Sequence, residues 1–373
     1  MSFYRHTVPV TAAPLFVGRE LLVRSLSRGI ENHRSFVVCG GPKTGRTSLL
    51  GVVRDKLLER WARQPNAARI VPVYVDLAAC AREGLPGLLS GIWRRVAEAV
   101  TDPTLRRETV SDVPRLAAPK PNQDVWSSYE QAWAELHACM SGGRGWCEVA
   151  LLLDNVETVL GAELNRFGAV LPELLPRAGA PGPVALVAAG GRLLREHLLD
   201  EPDFGRKMRL LFLGALKASE AQSLVAAGHA PLAPDEVSDV LAAMGAHPYA
   251  LQRVLAELET HGEQPDLDAA YDAAYPDLAA LFRRIWAEFD LDRGVSYRGT
   301  FAAPEHALMQ LMLGRTQPVA VKEAQKELEL RPLKEFFEFL EYTAVSERVL
   351  RGDVPHWRAG FDLWNGWYAQ QVR

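Results

Sequence analysis

At 373 residues, 48% of them hydrophobic and 24% charged, the chain is long enough for two or three domains with buried cores. The 42 Lys and Arg against 46 Asp and Glu leave a net charge of −4, which excludes a globally basic nucleic-acid binder and leaves only a local basic face to be considered. Cys39, Cys80, Cys139 and Cys147 form no C-x-x-C pair and have no histidine at zinc spacing, so reduced thiols and no metal site built on them are expected, and a disulfide-stapled miniprotein is excluded.

The opening MSFYRHTVPVTAAPLF lacks a charged segment followed by an apolar one, and no stretch reaches the roughly 18 apolar residues of a membrane span, so the expected location is the cytoplasm. Ser35–Cys39 reads as a buried strand, followed by a Gly-rich turn and a helix from about Arg46 to Ala62. Ile70–Leu77 is the second strand, Trp93–Val100 closes a helix, and Thr101–Asp124, rich in Pro and polar residues, is expected to be an insertion loop. A helix over Trp126–Met140 leads to the apolar strand Glu148–Asp154. A further helix over Leu164–Leu175 precedes the strands Pro183–Ala189 and Met208–Leu213. Five strands alternating with helices predict a doubly wound α/β domain with a parallel sheet.

From Leu216 the strand signal stops. Helices are expected at Ser219–Ala227, Pro234–Met244, Pro248–Thr260 and Asp268–Phe289. Pro304–Leu313, Val319–Glu327 and Pro332–Tyr342 read as three short helices, with β-pieces at Val345–Leu350 and His356–Arg358 around a turn at Arg351–Pro355, the pattern of a winged helix. The expected units are therefore residues 1–214, 215–295 and 296–373.

The strongest chemical signal is Gly40-Gly41-Pro42-Lys43-Thr44-Gly45-Arg46-Thr47 between an apolar strand and a helix. It follows G-x-x-x-x-G-[basic]-[ST], in which backbone N–H groups wrap phosphates, the helix N-terminus faces the anion and the hydroxyl reaches Mg²⁺. Arg46 stands where Lys is usual, and a planar forked guanidinium does not replace a slim point charge. Asp154, closing the strand LLLD, is expected to hold Mg²⁺ directly or through water. The next position commonly carries Glu in hydrolysing enzymes and here is Asn155, which can orient a water but cannot take its proton. Glu157 reads either as a substitute base or as a helix cap. Arg192, after Gly190-Gly191, reads either as a γ-phosphate sensor at the carboxyl edge of the sheet or as a surface arginine beginning a helix.

Phe16-Val17-Gly18-Arg19-Glu20, the loop ending in GRTSLL, the strand LLLDNVE, Gly191-Arg192 and Gly245-Ala246-His247-Pro248-Tyr249 together resemble the prokaryotic STAND-type P-loop NTPases of the AAA+ superfamily, with a winged helix after residue 300. The resemblance implies an ATP- or ADP-binding switch with Mg²⁺, in which Val17, Gly18 and Arg19 border the adenine. Gly40, Gly41, Pro42, Lys43, Thr44, Gly45, Arg46, Thr47 and Ser48 would form the phosphate loop, Thr47 and Asp154 the metal pair, and Arg192 the first sensor. His247 and Pro248 would belong to a helical lid packed on the nucleotide. Arg46 and Asn155 depart from the family pattern and imply weak or absent hydrolysis. With no effector before residue 16 and no sensor array after 373, protein partners in a signalling or defence system are expected to supply both functions, with homo-oligomerisation as the family's habit. The other readings are a DNA-binding AAA+ protein, an initiator or transcription regulator, and a nucleotide-free scaffold. Glu335, Glu338 and Glu341 on the last helix oppose a phosphate backbone, and Arg348, Arg351 and Arg358 are the notable cations of the wing. The aromatic close, Trp357, Phe361, Leu363, Trp364, Trp367 and Tyr368, is expected to be mostly core.

Overall fold

The computed structural model describes residues 9–10, 16–63, 69–80, 84–102, 124–141, 147–159, 170–175, 180–200, 202–228, 232–260, 266–289, 304–329 and 333–371. Five parallel strands, β1 (Ser35–Gly40), β2 (Arg69–Asp76), β3 (Cys147–Asp154), β4 (Ala185–Gly190) and β5 (Met208–Leu213), form one sheet in the order β2-β3-β4-β1-β5. The chain skips two positions between β1 and β2 and one between β4 and β5. The turns leaving β1, β3 and β4 therefore converge on one edge, where open α/β sheets bind ligands.

Every residue of β1 and of β4 is buried, as parallel strands covered on both faces require. Alternate side chains serve opposite faces. Phe36, Val38, Leu152 and Val187 pack with Leu26 and Ile30 of α1 (Glu20–Glu31) and with Leu49, Leu50 and Val53 of α2 (Arg46–Arg63). Val37, Cys39, Leu151 and Leu186 pack with residues of α3 (Leu77–Cys80), α4 (Gly84–Thr101), α5 (Val125–Ser141) and α7 (Arg192–Asp200). Each fully buried Leu, Val or Phe contributes about 1.5–3 kcal/mol relative to exposure. The short helices α6 (Val170–Leu174) and α8 (Pro202–Lys207) complete this half.

After Gly214 come α9 (Ala218–Ala227), α10 (Pro234–Met244), α11 (Pro248–Thr260) and α12 (Leu267–Phe289). They are followed by α13 (Pro304–Leu313), β6 (Val319–Ala320), α14 (Val321–Leu328), α15 (Leu333–Tyr342), β7 (Ser346–Arg351), β8 (Val354–Ala359) and α16 (Asp362–Gln371). The three last strands form an antiparallel sheet in the order β6-β8-β7. One apolar cluster runs from Leu216 through Leu251, Leu278, Phe282, Met309, Phe337 and Trp357 to Trp364 and Tyr368, so α9–α16 share a single core. The aromatic close lies mostly inside it, with Trp364 and Tyr368 fully buried and Leu363 only partly so.

The expected strands and most expected helices appear within a residue or two of their bounds. Val319–Ala320 differ: these residues pair with Trp357 and His356 as a strand, which the β-branched Val319 favours, and the helix begins at Val321. The last hairpin is longer than expected, with only Gly352 and Asp353 between its strands and Gly352 at φ 61. Nearly all of Thr101–Asp124 and the first half of the expected Leu164–Leu175 helix lie outside the described residues. Among the described residues no helix is long and apolar enough to cross a membrane.

Candidate nucleotide-binding site

The loop between β1 and α2 folds as its glycines demand. A Cβ on Gly40 would lie 2.6 Å from Thr44 Oγ1, which itself donates to the Gly41 carbonyl at 2.9 Å, and Gly45 takes φ 98, a region L side chains rarely enter. Thr47, in the first turn of α2, donates its hydroxyl to Asp154 Oδ2 at 2.6 Å. Asp154 is fully buried and also accepts from the Tyr74 hydroxyl at 2.9 Å and from the Asn155 backbone N–H at 2.9 Å. A hydroxyl and a carboxylate in contact at a helix N-terminus behind a Gly-rich turn form a hard oxygen pair beside an anion cradle. That donor set fits a phosphorylated ligand and a divalent cation, with Thr47 and Asp154 as the residues that would hold the metal.

Arg46 does not extend freely from the loop. Its Nη1 lies 2.9 Å from Glu157 Oε1, and Glu157 Oε2 accepts the Gly191 N–H at 3.2 Å. Glu157 thus neither caps its own 3₁₀ turn (Val156–Val159) nor stands apart as a base; it ties the helix behind the loop to the end of β4. Gly190 makes this reach feasible, since a Cβ there would meet Glu157 Oε2 at 2.7 Å.

Asn155 occupies the left-handed region at φ 54, which Asn tolerates better than most residues. The Thr158 N–H and hydroxyl hold its carbonyl at 3.0 and 2.8 Å, and its side-chain Nδ2 donates to Asp76 Oδ1 at 2.9 Å.

Arg19 is the other buried cation at the loop. Its guanidinium donates to the carbonyls of Thr44 and Gly214, both at 2.5 Å, and its backbone N–H donates to Glu220 at 2.8 Å. Burial lowers its pKa to about 10 despite the nearby Glu220 carboxylate. Arg19 therefore braces the phosphate loop against the start of the helical half. Gly18 sits against Glu220 of α9, where a Cβ would lie 2.9 Å away, and Val17 packs on the shared core of α9–α16. Lys43, exposed at φ 59, places its ammonium 5.1 Å from the Tyr249 ring on α11. The Ser48 hydroxyl accepts the Val10 N–H at 2.9 Å.

His247 and Pro248 are buried at the start of α11. Burial pulls the His247 imidazole down to about 4, with a backbone contact to Pro42 of the loop only partly offsetting it. Cys39, one residue before the loop, is buried, and desolvation pushes its thiol up to about 12.

The C-terminal module covers the same edge. The Gly41 N–H donates to the Tyr342 carbonyl at 3.0 Å, and a Cβ on Gly41 would lie 2.7 Å from Thr343 Cα. Gly214 approaches the Glu341 carbonyl equally closely, and Phe212 stacks on Tyr342 with ring centroids 6.4 Å apart. Arg192 begins α7, yet it is not a surface residue: its Nη2 lies 3.3 Å from Glu305 of α13, both side chains are 1% exposed, and its guanidinium stands 4.5 Å over the Phe339 ring. Desolvation raises the Glu305 carboxyl, and Arg192 opposes that rise. Arg195 pairs with Glu338 at 3.6 Å.

The fold thus brings together Gly40, Gly41, Thr44, Gly45, Arg46, Thr47, Asp154, Asn155 and Glu157 at one edge, with Arg19 and His247 behind the loop and Arg192 turned into the seam. Tyr74, Asp76 and Glu305 belong to the site without belonging to a motif. Tyr74 and Asp76 were signalled by Y-x-D at the carboxyl end of an apolar strand, alternate residues that share a face; Glu305 carried no local signal.

No family model matches the chain, and no curated protein matches it in sequence. Among solved structures it is similar to the Walker-type ATPase PABY2304 of Pyrococcus abyssi, with 13% identity and a TM-score of 0.60 over 98% of this chain and 99% of that one. The Aeropyrum pernix ORC2 protein aligns at 11% identity and a TM-score of 0.49 over 97% and 98% of the two chains. The ORC1 protein of the same organism, solved in complex with DNA, aligns at 15% and 0.44 over 99% and 96%. The likeness to the first of these shows a shared fold: the five-stranded parallel sheet flanked by helices is the α/β fold of a Walker-type ATPase.

Proposed function

We propose that the protein is a STAND-like switch that binds ATP or ADP with Mg²⁺ and couples the bound nucleotide to the position of its C-terminal module, with slow hydrolysis at most. The observation that carries this reading is the seam at the phosphate loop, where Gly41 donates to Tyr342 and Arg192 is held by Glu305. A triphosphate that recruits Arg192 competes with Glu305, so the ligand binds one arrangement better than the other and shifts their populations. In this reading residues 1–214 bind the nucleotide, 215–295 form the lid, and 296–373 form a winged helix used for internal contact. Partner proteins in a signalling or defence system, or further copies of the chain, receive the open state in the cytoplasm.

A DNA-binding role draws less support, because α15, one of the two helices that could read a groove, buries Phe336, Phe337, Phe339 and Leu340 and faces the sheet edge through Phe339 and Tyr342. The test is to denature the purified protein, quantify the nucleotide released, and record thermal shifts with Mg·ADP and Mg·ATP. Bound nucleotide and a shift of several degrees are expected. An empty site with no shift from either nucleotide overturns the proposal, and salt-dependent duplex binding by the full chain replaces it with the DNA reading.

A further inference from the structure

We infer that the Glu157 carboxylate is an internal substitute for the terminal phosphate of the ligand, so that Glu157 sets how far the site prefers a nucleoside diphosphate to a triphosphate. This rests on the nucleotide-binding reading above and concerns the specificity of that site.

Glu157 lies in the 3₁₀ turn after β3, and its two oxygens take donors from two different elements. Oε1 accepts from Arg46 Nη1 at 2.9 Å, and Oε2 accepts the Gly191 N–H at 3.2 Å. Arg46 opens α2 directly after the Gly-rich turn, and Gly191 follows the last residue of β4. Both donors therefore belong to the edge at which an open α/β sheet receives its ligand. A guanidinium and a backbone N–H converging on one anion form the kind of cradle that holds phosphate oxygens. Carboxylate oxygens satisfy the same donors, and here the chain supplies the carboxylate itself.

Gly190 leaves room for it, since a Cβ there would lie 2.7 Å from Oε2. Asp154 and Glu157 grip neighbouring residues of α2, Thr47 and Arg46, but unequally. Asp154 is fully buried and accepts two further hydrogen bonds, whereas the side chains of Arg46 and Glu157 keep contact with solvent. Glu157 is thus the carboxylate that can be displaced and rehydrated at small cost.

In a loop of this pattern the basic residue after the last glycine reaches the outer phosphates, and the backbone N–H groups of the turn hold the inner ones. A triphosphate brings more negative charge to Arg46 than a diphosphate does. There it meets a carboxylate that repels it and already occupies its donors, so the cost of displacement falls mainly on the triphosphate.

The full chain is compared with Glu157→Gln, Glu157→Ala, Arg46→Ala and Arg46→Ala/Glu157→Gln, each freed of carried nucleotide. Calorimetric titration gives Kd for Mg·ADP and Mg·ATP, and thermal shift is recorded with inorganic phosphate alone. Glu157→Gln is expected to bind Mg·ATP at least about tenfold tighter than wild type, with Kd for Mg·ADP within about twofold. In the Arg46→Ala background, where the carboxylate is no longer held at the site, the same substitution is expected to move the Mg·ATP Kd by less than about threefold. Inorganic phosphate is expected to raise the thermal midpoint of Glu157→Ala and to leave that of the wild type in place. A merely structural loss of the ion pair lowers the midpoint without changing the ratio of the two nucleotide affinities. An unchanged ratio, a gain of full size without Arg46, or the same phosphate response in wild type and Glu157→Ala overturns the inference. Failure of wild type and Glu157→Gln alike to bind either nucleotide overturns the proposed function instead.

Discussion

Two arginine–carboxylate pairs close the ligand edge of the sheet, and they differ in solvent access. Arg46 and Glu157, inside the parallel-sheet half, are 15% and 28% exposed. Arg192 and Glu305, which join that half to the C-terminal module, are each 1% exposed. Water screens the first pair, so its rupture is cheap and an incoming phosphate can compete for Arg46. The second is desolvated on both sides, so losing one partner removes the main compensation of a charge held in a low-dielectric seam. The difference assigns local, reversible contact to the loop and cooperative, all-or-none contact to the seam.

The sharpest way to break this contrast is Glu305→Ala, expected to destabilise the protein by about 3–5 kcal/mol in urea unfolding, whereas Arg192→Met with Glu305→Leu is expected to be near neutral. A similarly large loss in the double variant would mean that packing around α13, rather than the charge, holds the seam.

His247 tests the seam by pH. Its folded value of about 4 lies below the unfolded 6.5, so the unfolded chain binds the proton more readily. The stability of the neutral form is complete above about pH 6.5 and declines as pH falls toward 4, by about 2 kcal/mol between pH 7.5 and 5. His247→Gln is expected to flatten that part of the curve, and a wild-type slope retained in the variant assigns it to other groups.

Gly41→Ala places a methyl 2.7 Å from Thr343 Cα. The expected cost is about 1–3 kcal/mol, with increased proteolysis of residues 333–345. An unaffected thermal midpoint would show that the module does not press on the loop in solution.

The smallest effect belongs to the more solvent-accessible pair. Arg46→Ala is expected to change stability by less than about 1 kcal/mol, while Arg46→Lys tightens Mg·ATP binding by up to about tenfold, equivalent to ~1.4 kcal/mol, read by nucleotide titration. A loss of stability in Arg46→Ala matching that of Glu305→Ala would erase the contrast.

The same contrast separates what was legible in the sequence from what was not. The strands SFVVC and LLLD and the Gly-rich turn follow from short-range rules, because apolar period and turn chemistry are written in neighbouring residues, whereas the pairing of Thr47 with Asp154, 107 positions on, was legible only through the resemblance of the motifs. Glu157 remained open between base and cap because its partners lie 111 positions before it and 34 after it. Arg192 read equally as sensor or surface residue, since the burial that decides it comes from Glu305, 113 positions away. Tyr74 and Asp76 were visible only as polar residues ending an apolar strand, and their meaning depends on β2 lying beside β3 rather than beside β1.

The burial of Cys39 has a use of its own. A thiol displaced to about 12 is almost entirely unionised near neutrality, and it lies inside the core between β1 and α7, so alkylation requires that core to open first. Cys139, exposed on α5, reacts without any opening. The ratio of the two labelling rates is therefore a built-in clock for the opening of the parallel sheet, read by mass spectrometry on the unmodified chain, and a ligand held at the neighbouring loop should slow only one of its hands.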